Sequence, residues 1–290
     1  MQKLKFNYHT HSHYCDGKGN IEDYIIYAIE HNFTHLGFSA HSPLPFKNNF
    51  SIQEEKLDEY SNEIDKLREK YKNKIKIYKS LEMEFIPKLS ENFEKLQKRI
   101  NAKYTLGGIH MVNNPEMPEK LWFIDGPDQK VYDLGLKELF NNDIKKAVTR
   151  FYEQTNLMLE TQKPDIIVHF DKIVMHNKDR FFSESEPWYT KLVNETIDLI
   201  KEQNTICEIN ARGIYKNRYH DYYPSTKLLK QLKDENIPIT LSADAHKPEE
   251  INILWNKMLT DIINIGFKEV YYYDEGFKAA SIEELSKEIH

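Results

Sequence analysis

Only two cysteines, Cys15 and Cys207, occur in 290 residues. That is too few for a secreted disulfide framework and points to a reducing compartment. No apolar run approaches the roughly 20 residues of a bilayer-spanning helix. Met1 to Tyr8 is short and polar and lacks the apolar core of a signal peptide. The expectation is therefore a cytoplasmic protein with no membrane partner, and the sequons at Asn32 and Asn194 carry no glycosylation meaning. An excess of positive charge is also missing. The formal net charge of −6 argues against nucleic acid as the main partner, because phosphate backbones select basic surfaces. No glycine-rich phosphate loop follows the first apolar run, so a dinucleotide fold gains no support. Low-complexity linkers and short-period repeats are absent as well.

What remains is a globular composition, 40% hydrophobic and 12% aromatic, in a chain long enough to bury a sizeable core. Short apolar runs alternate with longer amphipathic stretches. Strands are expected at Leu4–His11, His35–Ala40, Ile75–Met83, Tyr104–Ile109, Asp165–Phe170, Thr205–Asn210 and Pro238–Ala243, with a last one at Glu269–Tyr273. Helices are expected after the Asn20 cap, at Leu57–Tyr71, Phe93–Ile100, Asn142–Thr161, Trp188–Gln203, Lys227–Asp234 and Glu250–Ile265, and in a short terminal segment. Met111–Lys130 and Ala211–Pro224 read as irregular, and segments of that length in compact domains are usually functional or disordered. Strict alternation argues for a parallel sheet with crossover helices, and seven or eight units in one domain spanning 1–290 favour a TIM-like (β/α) barrel over an open doubly wound sheet.

Histidine carries the strongest signal. His9 and His11 end the first strand, His41 follows the second, Glu82 ends the third, His110 follows the fourth, His169 ends the fifth, and Asp244 and His246 follow the seventh. A (β/α) barrel directs all these strand ends to one face, where its active site lies. Imidazoles and carboxylates are ordinary ligands of zinc, manganese or iron. His9 and His11, two apart on a strand, face the same way. Asp16, before Gly17, can turn back over that face. Glu82 and Glu84 also share a face; Glu82 lies deeper by strand position. His13 continues the alternation and is placed beside the site. Cys15 reads as a small buried side chain, His31 as a helix-end residue and His35 as a strand opener at the opposite face. His290 is the terminus, and His176 and His220 sit in or near loops.

His9-Thr10-His11-Ser12-His13-Tyr14-Cys15-Asp16-Gly17, Gly37-Phe38-Ser39-Ala40-His41-Ser42-Pro43-Leu44-Pro45, Leu81-Glu82, Gly108-Ile109-His110, His169-Phe170-Asp171 and Asp244-Ala245-His246 resemble the polymerase-and-histidinol-phosphatase (PHP) superfamily. Pro43-Leu44-Pro45, Trp122 with Ile124-Asp125-Gly126, and Glu208-Ile209-Asn210 running to Tyr223-Pro224-Ser225 look like its histidinol-phosphatase branch. The resemblance runs from Tyr8 to about His246. It implies a distorted (β/α)7 barrel and three divalent ions per chain. His9, His11 and Asp244 would hold one ion with Glu82 as a bridging carboxylate. Glu82, His110 and His169 would hold the second, and Asp16, His41 and His246 the third. The comparison also favours Glu82 over Glu84. Ala40 and Ser80 depart from the common pattern without removing a ligand.

The implied reaction is hydrolysis of L-histidinol phosphate, a step of histidine biosynthesis, by in-line attack of a metal-bridging hydroxide without a phosphoenzyme. Catalytic duty falls on Glu82, Asp244 and His246. Arg212, just past the sixth strand, is the first candidate for clamping ester oxygens, with Lys216 and Arg218 behind it. Asp125 is placed to pair with the substrate ammonium or imidazole, and His13 is grouped with these substrate-binding residues. Two alternatives stand beside this: a related phosphoesterase acting on phosphotyrosine or a nucleotide, and a non-catalytic metal-binding module. The sequence does not specify an oligomeric state.

Overall fold

Buried β-branched and aromatic runs bounded by helix caps produce the alternation, and the computed structural model describes residues 3–286 of it. Strand β1 (Phe6–Asn7) leads to α1 (Ile21–Glu30), and β2 (His35–His41) to α2 (Leu57–Tyr71). Then come β3 (Lys76–Glu84), α3 (Phe93–Ile100) and β4 (Leu106–Gly108). A hairpin of β5 (Met111–Asn114) and β6 (Met117–Phe123) precedes α4 (Gln129–Phe140) and α5 (Ile144–Gln162). The chain continues through β7 (Ile166–Ile167), α6 (Pro187–Glu202), β8 (Ile206–Asn210), a single-turn helix α7 (Arg212–Tyr215), α8 (Thr226–Asp234), β9 (Ile239–Ser242) and α9 (Trp255–Ile265). It ends in β10 (Glu269–Tyr273), β11 (Phe277–Ser281) and α10 (Ile282–Ser286). Asn92, Asp128 and Asp143 each cap a helix start by accepting a backbone N–H.

Seven strands form one parallel sheet in the order β1-β2-β3-β4-β7-β8-β9. Its two edges meet beyond the strands proper. Thr10 pairs with Ala245 in parallel, His11 N–H donates to Ala245 O at 2.8 Å, and Asn7 Oδ1 accepts from Ala243 N–H at 2.8 Å. A side-chain amide thus replaces part of the closing ladder, and the barrel is distorted and almost closed. Tyr8 and Tyr104 fill its interior. Gly37 is required there, because a Cβ would lie 1.8 Å from the Tyr104 hydroxyl.

Three expectations change. Glu269–Tyr273 does not join the barrel; it pairs antiparallel with β11. Tyr273 packs on Tyr8, Tyr78 and Tyr104 and covers the barrel's N-terminal end, where Tyr8 Oη accepts from Tyr273 N–H at 2.9 Å. Met111–Lys130 is mostly a hairpin rather than irregular chain. Its exposed, charged strand β6 lacks clean alternation and is held by one residue, Trp122, which is buried and donates Nε1–H to Tyr132 O at 2.8 Å. Helix α4 has no counterpart among the expected elements, because Gly135 interrupts its pattern; that glycine makes room for the Trp122 ring, 2.3 Å from where a Cβ would sit.

His35 lies at this N-terminal end as expected, among Asp274, Lys76, Lys278, Tyr78 and Tyr272. Burial, joined by the Lys76 charge, lowers its pKa from 6.5 to about 4. The unfolded chain therefore binds a proton below pH 6.5 that the folded chain refuses until about pH 4. The stability that the neutral ring contributes is complete above pH 6.5 and is lost as pH falls through that window. In His35→Phe the fall in Tm between pH 7.5 and 5.0 is expected to shrink by about 3 °C or more, measured on chelator-treated protein. An unchanged fall removes His35 as a titrating group.

Candidate metal centre

The C-terminal strand ends converge as the alternation implies. His9 and His11 follow β1 on extended chain, and the segment then reverses tightly. Gly17 makes that reversal possible, since a Cβ there would stand 2.4 Å from Ser12 N. The turn brings Asp16 back, with Oδ1 3.8 Å from His11 Nδ1. His41 is the last residue of β2, opposite Glu82 of β3 in register. His169 and Asp244 leave their strands with φ of 32° and 52°, a left-handed backbone uncommon for non-glycine residues.

Glu82 is the hub. Its Oε2 stands 3.3 Å from His9 Nε2, 3.4 Å from His11 Nε2 and 2.9 Å from His41 Nδ1. Its Oε1 stands 3.2 Å from His110 Nε2 and 2.8 Å from His169 Nε2. Asp244 Oδ1 approaches His9, His11 and His246 at 3.8, 3.5 and 3.4 Å. Asp16 Oδ1 approaches His246 Nε2 at 3.2 Å and His41 Nε2 at 3.7 Å. Three groups are compact enough to hold an ion each: His9-His11-Asp244, His11-Asp16-His41-His246 and His41-Glu82-His110. They differ from the implied sets in three ways: His11 and His41 each fall in two groups, Glu82 groups with His41 and His110 and not with His9 and His11, and His169 joins only through its contact with Glu82.

The donor set fits divalent cations. Among the described residues, buried His9 Nε2, His11 Nε2, Glu82 Oε2, Asp16 Oδ1 and Asp244 Oδ1 find no hydrogen-bond partner. Orphaned buried polar atoms are costly, and five of them gathered in one cluster demand a ligand. The charges agree. Against the cost of burial, His9, His110 and His41 hold Glu82 well below the usual carboxylate range. Burial and the neighbouring His246 and His41 rings hold His11 well below the usual imidazole value. Burial would lower His9 too, but Glu208, Glu82 and Asp244 outweigh it and raise its pKa.

A second layer orients these rings. Glu208 Oε1 lies 2.6 Å from His9 Nδ1, and Glu84 Oε2 lies 2.5 Å from His110 Nδ1. With Nδ1–H donating, each Nε2 lone pair faces the cluster. Glu84 thus stands behind a candidate ligand, whereas Glu82 faces the cluster itself. Asn210 donates Nδ2–H to Glu208 at 3.0 Å and Asp244 at 3.1 Å. Glu208→Ala is expected to weaken metal binding by about 10- to 100-fold, read by chelator competition. An unchanged affinity removes Glu208 as the orienting group.

Arg212, Arg218 and Asp125 line the cleft above the cluster. Arg212 is buried; its Nη1 donates to Asp244 O at 2.8 Å and Tyr215 Oη at 3.2 Å. Two expectations fail on position. His13 is exposed against the Tyr14 ring and lies outside the cleft, because the chain turns at His13–Asp16 and ends the alternation. Lys216 is taken up by Glu250, which also accepts from His246 N–H. Cys15 is free, with Sγ 3.5 Å from His11 Nδ1, and burial pushes its thiol up to about 12. His31 takes the helix-end role beside Tyr27 O. His176 bonds Gly126 O just behind the cleft wall, whereas His220 lies exposed beside Tyr219. His290 lies outside the described residues. Missed altogether were Lys172, Phe50 and Phe123, which also line the cleft. Lys172 is a single lysine in a largely apolar turn with no motif of its own, and the two phenylalanines meet only in space, stacked at 5.6 Å.

The PHP domain model matches residues 7–212. A Schizosaccharomyces pombe protein named "Probable histidinol-phosphatase" is 27% identical over 286 residues, covering 92% of this chain and 89% of its own. Among solved structures, a Listeria monocytogenes chain named a "putative histidinol phosphatase" is 17% identical with a TM-score of 0.75, covering 87% of this chain and 99% of its own. The histidinol phosphate phosphatase of Lactococcus lactis, solved with zinc, L-histidinol and phosphate, is 19% identical with a TM-score of 0.63, covering 96% of this chain and 99% of its own. The two structural likenesses are likenesses of fold.

Proposed function

The chain belongs to the PHP domain family, and from that premise we propose that it is a histidinol-phosphatase, hydrolysing L-histidinol phosphate to L-histidinol and phosphate in histidine biosynthesis. Curated relatives bearing that name align over most of the chain. The observation that carries the reading is the cluster of orphaned imidazole and carboxylate atoms around Glu82, beneath a cleft lined by cations.

Three ions would be held, by His9, His11, Asp244 and Glu82; by Glu82, His110 and His169; and by Asp16, His41 and His246. Zinc, manganese and iron suit these donors. Bound divalent ions supply Lewis acidity toward phosphoryl oxygens and lower the pKa of water toward neutrality. Glu82, Asp244 and His246 carry the catalytic weight, because they join one ligand group to the next. Arg212 and Arg218 would take phosphoryl oxygens from above, and Asp125 would accept the substrate ammonium. Lys216 would act through Glu250 as a positioning residue. Phe50 and Phe123 offer flat apolar surface to an imidazole. Among the described residues no helix is long and apolar enough to cross a membrane, and a small phosphorylated metabolite in a cytoplasmic enzyme of one domain over 1–290 fits this site.

The test is phosphate release from L-histidinol phosphate beside other monoesters, phosphotyrosine and nucleotides included, with metal content measured on the same sample. Strong preference for histidinol phosphate with several ions per chain supports the reading. Preference for another ester in a metallated sample overturns the substrate and keeps the chemistry.

A further inference from the structure

Lys172 carries a charge that the site as described does not use. It is 2% exposed, on the turn that directly follows His169, and it lines the cleft. Its Nζ stands 3.5 Å from Asp125 Oδ2 and 4.0 Å from Asp244 Oδ2, with the Tyr223 ring 5.2 Å away. These separations are long for an ammonium, whose bonds to carboxylate run near ~2.8 Å, and Nζ donates no hydrogen bond to any described residue. Asp125 is equally underused: its Oδ2 lies 3.9 Å from His110 Nε2. A buried lysine paired this loosely with a half-buried carboxylate forgoes most of the attraction that would offset its desolvation. It is complementary to something not yet in the cleft.

We infer that Lys172 is a phosphate-binding residue whose charge Asp125 restrains until a substrate's own ammonium takes Asp125, so that the cleft selects phosphate monoesters carrying a cationic amine. The inference rests on the phosphatase reading and adds the source of its selectivity. An aminophosphate brings an anion and a cation a few bonds apart. On binding, the one loose pair gives way to two closer ones, Lys172 with the phosphoryl group and Asp125 with the ammonium. A plain anionic ester can engage Lys172 only by leaving the Asp125 carboxylate uncompensated beside a phosphate, a like-charge penalty that works as discrimination.

The test uses metal-loaded protein and two readouts: competitive inhibition by inorganic phosphate, and kcat/KM for L-histidinol phosphate against the same ester lacking its amine. Lys172→Met is expected to weaken phosphate inhibition about tenfold with metal content unchanged, the order of one charge-assisted contact. Lys172→Arg should recover most of that loss. Asp125→Asn is expected to shift the two readouts in opposite directions, tightening inorganic phosphate by about threefold or more while lowering kcat/KM for the amine-bearing ester at least about tenfold more than for its desamino analogue. In the double variant the tightening should vanish. Tightening that persists without Lys172, or equal losses on both esters in Asp125→Asn, overturns the proposal. If the wild type turns over neither ester but hydrolyses another monoester, and the same phosphate-inhibition pattern appears on that substrate, the histidinol phosphate reading fails and the Lys172 assignment stands.

Discussion

Glu82→Gln is expected to lower kcat on a phosphate monoester by about a thousandfold or more, the scale of losing a central electrostatic element of a water-poor site. The amide would keep the volume and one carbonyl oxygen, so packing among β2, β3 and β4 should survive. The lost charge is what matters. Glu82 is 1% exposed and faces five imidazoles, from His9, His11, His41, His110 and His169. Replacing it removes one of three carboxylates in the ligand set and with it much of the attraction for neighbouring cations. Metal content per chain, measured by elemental analysis, should fall in step with kcat, while the metal-free variant keeps its secondary structure. Activity within about tenfold of wild type at full metal content would displace Glu82 from the hub.

Arg212→Ala is expected to reduce kcat/KM by about 100-fold, near ~2.7 kcal/mol of transition-state stabilisation, the order found when one preorganised donor is removed. Burial works against the Arg212 charge, but Asp244, Tyr215 and Glu250 stabilise it and raise its pKa further. A permanent cation is thus held in the cleft wall at little reorganisation cost. Its Nη1 is already spent on Asp244 O and Tyr215 Oη, so the phosphate contact falls to the rest of the guanidinium. Two readouts separate binding from bracing. If Arg212 holds phosphate, inhibition by inorganic phosphate weakens and metal content stays constant. If metal is lost while phosphate inhibition per loaded site is unchanged, Arg212 serves to position the Asp244 backbone and leaves the substrate set.

Most candidate ligand positions were legible because they depend on a local rule. A short apolar run reads as a strand, a parallel barrel points every strand end to one face, and imidazoles and carboxylates at those ends must then meet. His9, His41, His110, His169 and Asp244 could be placed that way without knowing any distance. His13 failed on the same logic, because strand periodicity says nothing about where a strand stops, and the chain has already begun to turn there. The last strand, β10, was visible as a strand but not as a plug, since a five-residue apolar run does not encode its partner. The hairpin at Met111–Phe123 was hidden because its stability comes from Trp122 against α4 and not from its own pattern.

By itself the sequence determined the barrel class and most of the nine ligand candidates, since residue type and strand-end position are local properties; the family resemblance chose Glu82 over Glu84, and Asp16 was placed from its turn. Only the tertiary structure decided which side chains stand behind the ligands and above them. Glu208 behind His9, Glu84 behind His110, Lys216 drawn off to Glu250 and Lys172 set against Asp125 are pairings between distant segments, apart from those that share an adjacent strand. Charge interactions act through space at a few ångströms, and no periodicity along a chain records which opposite charge the fold will bring within that distance.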